Sequence, residues 1–194
     1  KKSKELKQRF NINDKGYLLL LQHSVTNQPD DAKHQITETM EAIKELKINT
    51  IVVYPNSDAG SKQIINVLGK YSRNPLIQLH KNLDNKTFLS LMKNSLAMVG
   101  NSSSGIIEAS ALNVPVINIG IRQEGRERVK NVIDVPHRKK KIKEAIQFTI
   151  NQNFQSMVKE IKSPYGDGGA GTRIATILAT IPISKDLIQK TITY

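Results

Sequence analysis

The sequence predicts an α/β fold: a doubly wound, Rossmann-like parallel sheet of about six strands with helices on both faces, formed as one domain over residues 1–194. Two observations predict it. Short runs that are apolar almost throughout alternate with amphipathic stretches of helical length, and continuous apolar character marks strands covered on both faces. The chain also has no internal repeat or low-complexity segment, and 194 residues at 38% hydrophobic content suffice for a real core.

A charged helical segment at Lys2–Arg9 comes first, followed by the apolar strand Tyr17–Gln22 (YLLLLQ). The periodic stretch Asp30–Leu46 is a helix and leads into Thr50–Tyr54 (TIVVY), which is rich in β-branched residues. Ala59–Tyr71 is the next helix, Leu76–Leu79 the third strand, Asn85–Lys93 a helix and Leu96–Val99 the fourth strand. Ser104–Leu112 reads as a helix between that strand and Pro115–Ile119, and Asn131–Val135 is the sixth strand. Helices at Arg138–Asn151, Phe154–Ile161, Thr172–Ile181 and from Ser184 complete the chain. Right-handed crossovers bring the C-terminal strand ends to one edge, where ligands of such sheets sit.

Composition narrows the class of partner. There is no cysteine, so disulfides and thiolate metal sites are excluded and a cytoplasmic home is expected. No apolar run is long enough to span a bilayer, and the opening KKSKELKQRF leads into no signal-peptide core. That abrupt, charged start points to a piece of a longer protein. The net charge of +12 invites a nucleic-acid reading, yet the one dense run, Arg138–Lys143 (RKKKIK), carries no interleaved aromatic residue for stacking on bases. It reads as a solvated helix face, and neither nucleic acid nor membrane is an expected partner. Anionic metabolites fit the charge equally well. His34, His80 and His137 lack metal-ligand spacing, so no metal is expected.

The stretch AMVGNSSSGIIEASALNVPVIN, Ala97–Asn118, runs from an apolar strand straight into a serine-rich turn that opens a helix. An anion belongs there: the first helical amides lack internal partners, Ser102, Ser103 and Ser104 add hydroxyl donors, and Gly105 allows close approach of a ligand to the backbone. The same serines also read as ordinary N-caps. His23, Asn56, Asp58, Leu83 and Arg122 follow other strands at the same edge. Each has a plain alternative as a strand-end histidine, a turn former, a cap or a surface residue. Glu108 lies one turn into the helix, where a carboxylate beside phosphates fits only as an acceptor for a sugar diol, which points to ribose hydroxyls. Arg122 would supply a charge-assisted contact and backbone near Leu83 a base-edge contact. The sum is a nucleotide-diphosphate site.

Four motifs, YPNSDAGS (Tyr54–Ser61), GNSSSGIIEA (Gly100–Ala109), PVINIGIRQEGRE (Pro115–Glu127) and SPYGDGGAGTRI (Ser163–Ile174), resemble those of the UDP-N-acetylglucosamine 2-epimerases, in particular the hydrolysing branch. The resemblance runs from about Gly16 to Ile181 and covers the C-terminal half of that family's two-domain, glycosyltransferase-B-like fold. It implies that Ser102 and Ser103 hold the UDP phosphates, that Glu108 binds ribose and that main chain at Leu83 recognises uracil. His23 is implied as a catalytic group in the interdomain cleft near the pyrophosphate, with Arg122 beside it. Asn56, Asp58, Ser61 and Arg173 are implied as cleft-edge or closing elements. No cofactor is implied beyond UDP itself, as substrate moiety or product. The implied partners are a UDP-sugar, a missing N-terminal catalytic domain, and further copies in a homo-oligomer, with the helices of residues 172–194 packing back or toward that missing domain. A nucleotide-diphosphate-sugar binding module, or half of a related glycosyltransferase, is the alternative.

Two other motifs carry less. Gly166–Gly171 (GDGGAG) spells a dinucleotide fingerprint but follows no strand, so a glycine turn before the next helix is the better reading. Asn85 and Asn101 open N-x-[ST] sequences that a cytoplasmic domain would never present for glycosylation.

Overall fold

The structure, a computed structural model, describes residues 3–12 and 15–189, which divide into two compact units, Lys1–Pro164 and Tyr165–Tyr194. In the first unit, strands β1 (Tyr17–Leu21), β2 (Asn49–Val53), β3 (Ile77–His80), β4 (Ala97–Gly100), β5 (Val116–Ile119) and β6 (Val132–Val135) pair in the order β3-β2-β1-β4-β5-β6. Every pairing is parallel. All C-terminal strand ends therefore share one edge, as expected from the sequence. Its helices are α1 (Ser3–Arg9), α2 (Ala32–Leu46), α3 (Ser61–Gly69), α4 (Asn85–Asn94), α5 (Glu108–Ala111), α6 (Lys139–Thr149) and α7 (Gln152–Lys159). Lys2, expected to open the first helix, and residues 190–194 lie outside the described residues.

The strand side chains alternate between two cores. Leu18 and Leu20 pack with Ile36, Met40 and Ile43 of α2, Ile64 and Leu68 of α3, and Ile142 and Ile146 of α6. Leu19 and Leu21 turn the other way, onto Leu6 of α1, Phe10, and Leu91 and Met92 of α4. This is why YLLLL has no polar position: both faces of β1 are covered. Each such side chain contributes about 1.5–3 kcal/mol by leaving water. Tyr17 shares the second core by donating its hydroxyl to the Leu91 carbonyl at 2.6 Å, and burial raises its ionisation above the usual range.

One element departs from expectation. The single helix read over Ser104–Leu112 is instead a 3-10 turn, Ser103–Gly105, followed by the one-turn α5. Ser102, in extended conformation, is the cap, and its Oγ accepts from the Ser104 amide at 3.4 Å. Gly105 is buried, and a Cβ there would stand 3.1 Å from Val116 Cγ1. The tight turn is thus pressed onto β5, and Gly105 serves that packing; its expected role in ligand approach is corrected accordingly.

The basic run also finds a structural explanation. Glu45 of α2 pairs with Lys139 at 2.5 Å and Lys143 at 2.9 Å, and Glu38 accepts from the Lys139 amide at 2.6 Å. The two lysines hold the Glu45 carboxyl down to about 2. Lys141 pairs with Glu144 within α6.

The second unit holds α8 (Ala170–Thr180) and α9 (Lys185–Ile188). In α8, Ile174, Ile177 and Leu178 are exposed, with Ile181 just beyond it, and together they form an apolar stripe at helical spacing. Gly166 and Gly168 adopt positive φ in the turn before α8, so GDGGAG is a turn and not a strand-to-helix fingerprint.

Two predictions concern the fold. Gly100 ends β4 at φ +128°, where a Cβ would stand 2.1 Å from the Leu21 carbonyl oxygen. Gly100→Ala is expected to lower stability by about 3 kcal/mol or more, read as a shift of the urea midpoint. A loss below ~1 kcal/mol would mean that the strand ends part freely. The second concerns acid. His137 packs against Gly120 with both ring nitrogens buried and unpaired, and burial, with His34 beside it, lowers its pKa from 6.5, Asp31 opposing. A lowered folded value means that protonation favours the unfolded chain, so stability is full above about pH 6.5 and falls as pH drops through that value. His137→Gln should flatten the fall in urea midpoint between about pH 7.5 and about pH 5; an unchanged slope would assign it to other groups.

Candidate functional site at the C-terminal strand edge

The site begins where β1 and β4 end side by side. Because Gly100 has no side chain, the two backbones touch, and the Asn101 amide donates to the Leu21 carbonyl at 3.3 Å. The Asn101 carboxamide then reaches the next loop. Its Oδ1 accepts from the His23 amide at 2.7 Å, and its Nδ2 donates to the His23 carbonyl at 2.9 Å.

His23 is thereby fixed at the end of β1. Its Nδ1 accepts from the Asn56 amide at 3.1 Å, which leaves the proton of the neutral ring on Nε2. Burial and the nearby Arg122 lower its pKa, with Asn56 and Asp58 pulling the other way. A neutral ring at pH 7 is a hydrogen-bond donor through Nε2.

Arg122, in the loop after β5, donates to the Asn101 carbonyl at 3.2 Å and stands 3.8 Å from Asp58. Asp58 in turn accepts from the Asn56 carboxamide at 2.7 Å. The structure thus brings His23, Asn56, Asp58 and Arg122 into one polar network spanning the loops after β1, β2 and β5.

The serine turn lies directly beyond Asn101. Ser102 is buried at 7% exposure, while Ser103 and Ser104 are half-buried. Ser103 uses its carbonyl to accept from the Ile106 and Ile107 amides, each at 2.9 Å. Glu108 opens α5 instead of lying within a longer helix, and its Oε2 is buried without a hydrogen-bond partner. A carboxylate oxygen so placed calls for a donor.

The remaining candidates separate. Leu83 follows β3, and its side chain packs against the second core. Ser61, expected at a cleft edge, is buried at 8% as the first residue of α3, and its amide donates to the Asp58 carbonyl at 3.0 Å. It shapes the turn that carries Asp58. Arg173 belongs to the second unit, where it grips the exposed Asp167 at 3.0 and 3.1 Å.

Sequence reasoning missed Asn101 and Gln123. Gln123 is 2% exposed and donates through Nε2 to the Asn101 carbonyl at 2.9 Å. The available signal was a polar residue set directly after an apolar strand ending in glycine, which the adjacent serines overshadowed.

Comparisons with known proteins bear on this geometry. Residues 1–179 match the family model described as UDP-N-acetylglucosamine 2-epimerase. A UDP-N,N'-diacetylbacillosamine 2-epimerase (hydrolyzing) of Legionella pneumophila is 35% identical over 184 residues, which are 94% of this chain and 48% of that protein. The crystal structure of Methanocaldococcus jannaschii UDP-GlcNAc 2-epimerase in complex with UDP-GlcNAc and UDP superposes with a TM-score of 0.68 at 26% identity, over 92% of this chain and 49% of that one. A Neisseria meningitidis UDP-GlcNAc 2-epimerase shares the fold at a TM-score of 0.72, with 21% identity over 92% of this chain and 49% of its own. The chain spans about half the length of these relatives. With the family model covering nearly all of its length, and with the parallel sheet and rim just described, the chain belongs to the UDP-N-acetylglucosamine 2-epimerase family.

Proposed function

We propose that this chain is the C-terminal, UDP-gripping half of a hydrolysing 2-epimerase that converts a UDP-linked 2-acetamido sugar to the free 2-epimer and UDP. The observation that carries the reading is the unpaired, buried Oε2 of Glu108, one short turn past the serines at the end of β4. A ribose hydroxyl would satisfy it. Ser102 and Ser103 would bind the phosphates, Arg122 would add a charge-assisted contact, and main chain at Leu83 would meet uracil. The order β3-β2-β1-β4-β5-β6 supports this placement, because the ligand crevice of such sheets opens where the strand order reverses, between the loops after β1 and β4.

In the proposed reaction a base takes the proton from sugar C2, the C1–O bond breaks, and UDP leaves with the bonding electrons. Water then adds across the resulting double bond, its oxygen to C1 and a proton to the opposite face of C2. Carboxylates of the other half would move these protons. This half's work is electrostatic: His23, neutral and donating through Nε2, and Arg122 face the charge that gathers on the departing diphosphate. The Legionella relative, a hydrolyzing 2-epimerase by name, supports the choice of water over return of UDP. The apolar stripe of α8 would dock on the other half, Asn56 and Asp58 would stand at the closing edge of the rim, and a cytoplasmic homo-oligomer completes the proposal.

Calorimetry tests the phosphate assignment. Changing Ser102 and Ser103 together to Ala should weaken UDP by about 100-fold or more, since hydrogen bonds to charged groups are worth roughly 1.5–3 kcal/mol each and two are removed, with little loss of fold. Unaltered affinity removes the assignment. The ribose assignment has its own test: Glu108→Gln should weaken UDP by a larger factor than inorganic pyrophosphate, and equal losses would mean that Glu108 does not read the sugar.

A further inference from the structure

Asn101 joins three loops through one side chain and one peptide group, and every kind of polar atom it has is engaged. Its amide meets β1 at Leu21, its carboxamide meets His23 twice, and its carbonyl takes both Arg122 and Gln123. It is 0% exposed. We infer that Asn101 is the positioning residue of this site, setting His23 and Arg122 in register with the serine turn that follows it. The inference deepens the nucleotide reading above and rests on it for the ligand, while the geometry stands independently.

The chemistry at this position is restrictive. The His23 peptide presents an N–H and a C=O to the same side chain, so the partner must accept and donate at once. Aspartate accepts but cannot donate, and it sets a negative charge against the His23 carbonyl. Alanine does neither and leaves both peptide groups unpaired. Gly100 supplies the closeness: with any Cβ there, the backbone could not approach Leu21, and Asn101 would stand too far from His23 to pair with it.

A buried asparagine with a purely structural job provides the contrast. Asn131 is also 0% exposed, donates to the Val114 carbonyl at 2.8 Å, and lies at the opposite edge, where β5 and β6 begin. Asn131→Ala should lower the urea midpoint and leave the rim untouched.

The test compares Asn101→Ala, Asn101→Asp and Asn131→Ala in the full chain by urea midpoint, by NMR titration of the His23 ring and by UDP calorimetry. Asn101→Ala should weaken UDP about tenfold and let the His23 pKa climb back toward 6.5 as its loop loosens and water reaches the ring. Asn101→Asp keeps the acceptor for the His23 amide, holds the fold if Asn101→Ala does not, and should raise the His23 pKa further through its charge. Two results would overturn the inference: Asn101 variants that lose stability while His23 titration and UDP affinity stay put, or an Asn131→Ala variant that moves both as strongly. If the wild-type chain ignores UDP, the nucleotide reading falls, and the His23 titration, which needs no ligand, still decides the role of Asn101.

Discussion

The contact on which the rim depends is the touch between the ends of β1 and β4. Gly100 lies against the Leu21 carbonyl with no room for a single carbon atom, and from there the chain turns into Asn101 and the serines. On one side of this junction the chain leaves β1 for α2, which packs with Leu18 and Leu20; on the other it leaves β4 for the turn and α5, whose Ala109 packs with Leu19 and Leu21. The two connections part to opposite faces of the sheet. A crevice at this point follows from topology, and the Asn101 clip keeps its two walls in fixed relation.

Charge is distributed differently from what the net value suggests. The densest basic run is answered by Glu45, Glu38 and Glu144, so it serves the packing of α6 on α2. At the rim, Arg128 pairs with Asp134, and Arg122 leans on Asp58 and a carbonyl. His23, His80 and His137 all have their pKa values lowered chiefly by burial, so three rings are kept neutral near the sheet. The excess of lysine therefore leaves the C-terminal strand edge governed by a few oriented groups.

Much of this was legible in the sequence. Six short, mostly apolar runs became six parallel strands, with ends displaced by a residue or two; the inner four are the most continuous because a strand covered on both faces must be apolar on both. His23, Asn56, Asp58 and Arg122 were readable as strand-end residues, and they meet. What sequence could not convey was conformation that depends on tertiary contact. Ser104–Leu112 has helical periodicity, yet the pressure of Gly105 on Val116 tightens its first turn and divides it. Asn101 was hidden for a similar reason: its partners are the peptide of His23 and side chains after β5, none near it in the chain. Ser61 looked like a rim hydroxyl and is interior, since the turn ahead of α3 folds over it.

The pairing of Arg122 with Asp58 is long, at 3.8 Å, and both side chains keep about a quarter to a third of their surface in water. Such a pair is weak, so it aims the guanidinium without quenching it. An arriving anion would meet a cation already oriented, and the aspartate could retreat into solvent at little expense. On the departure of such an anion the same aspartate would be on hand to take its place, so the arginine would not be left bare between successive guests.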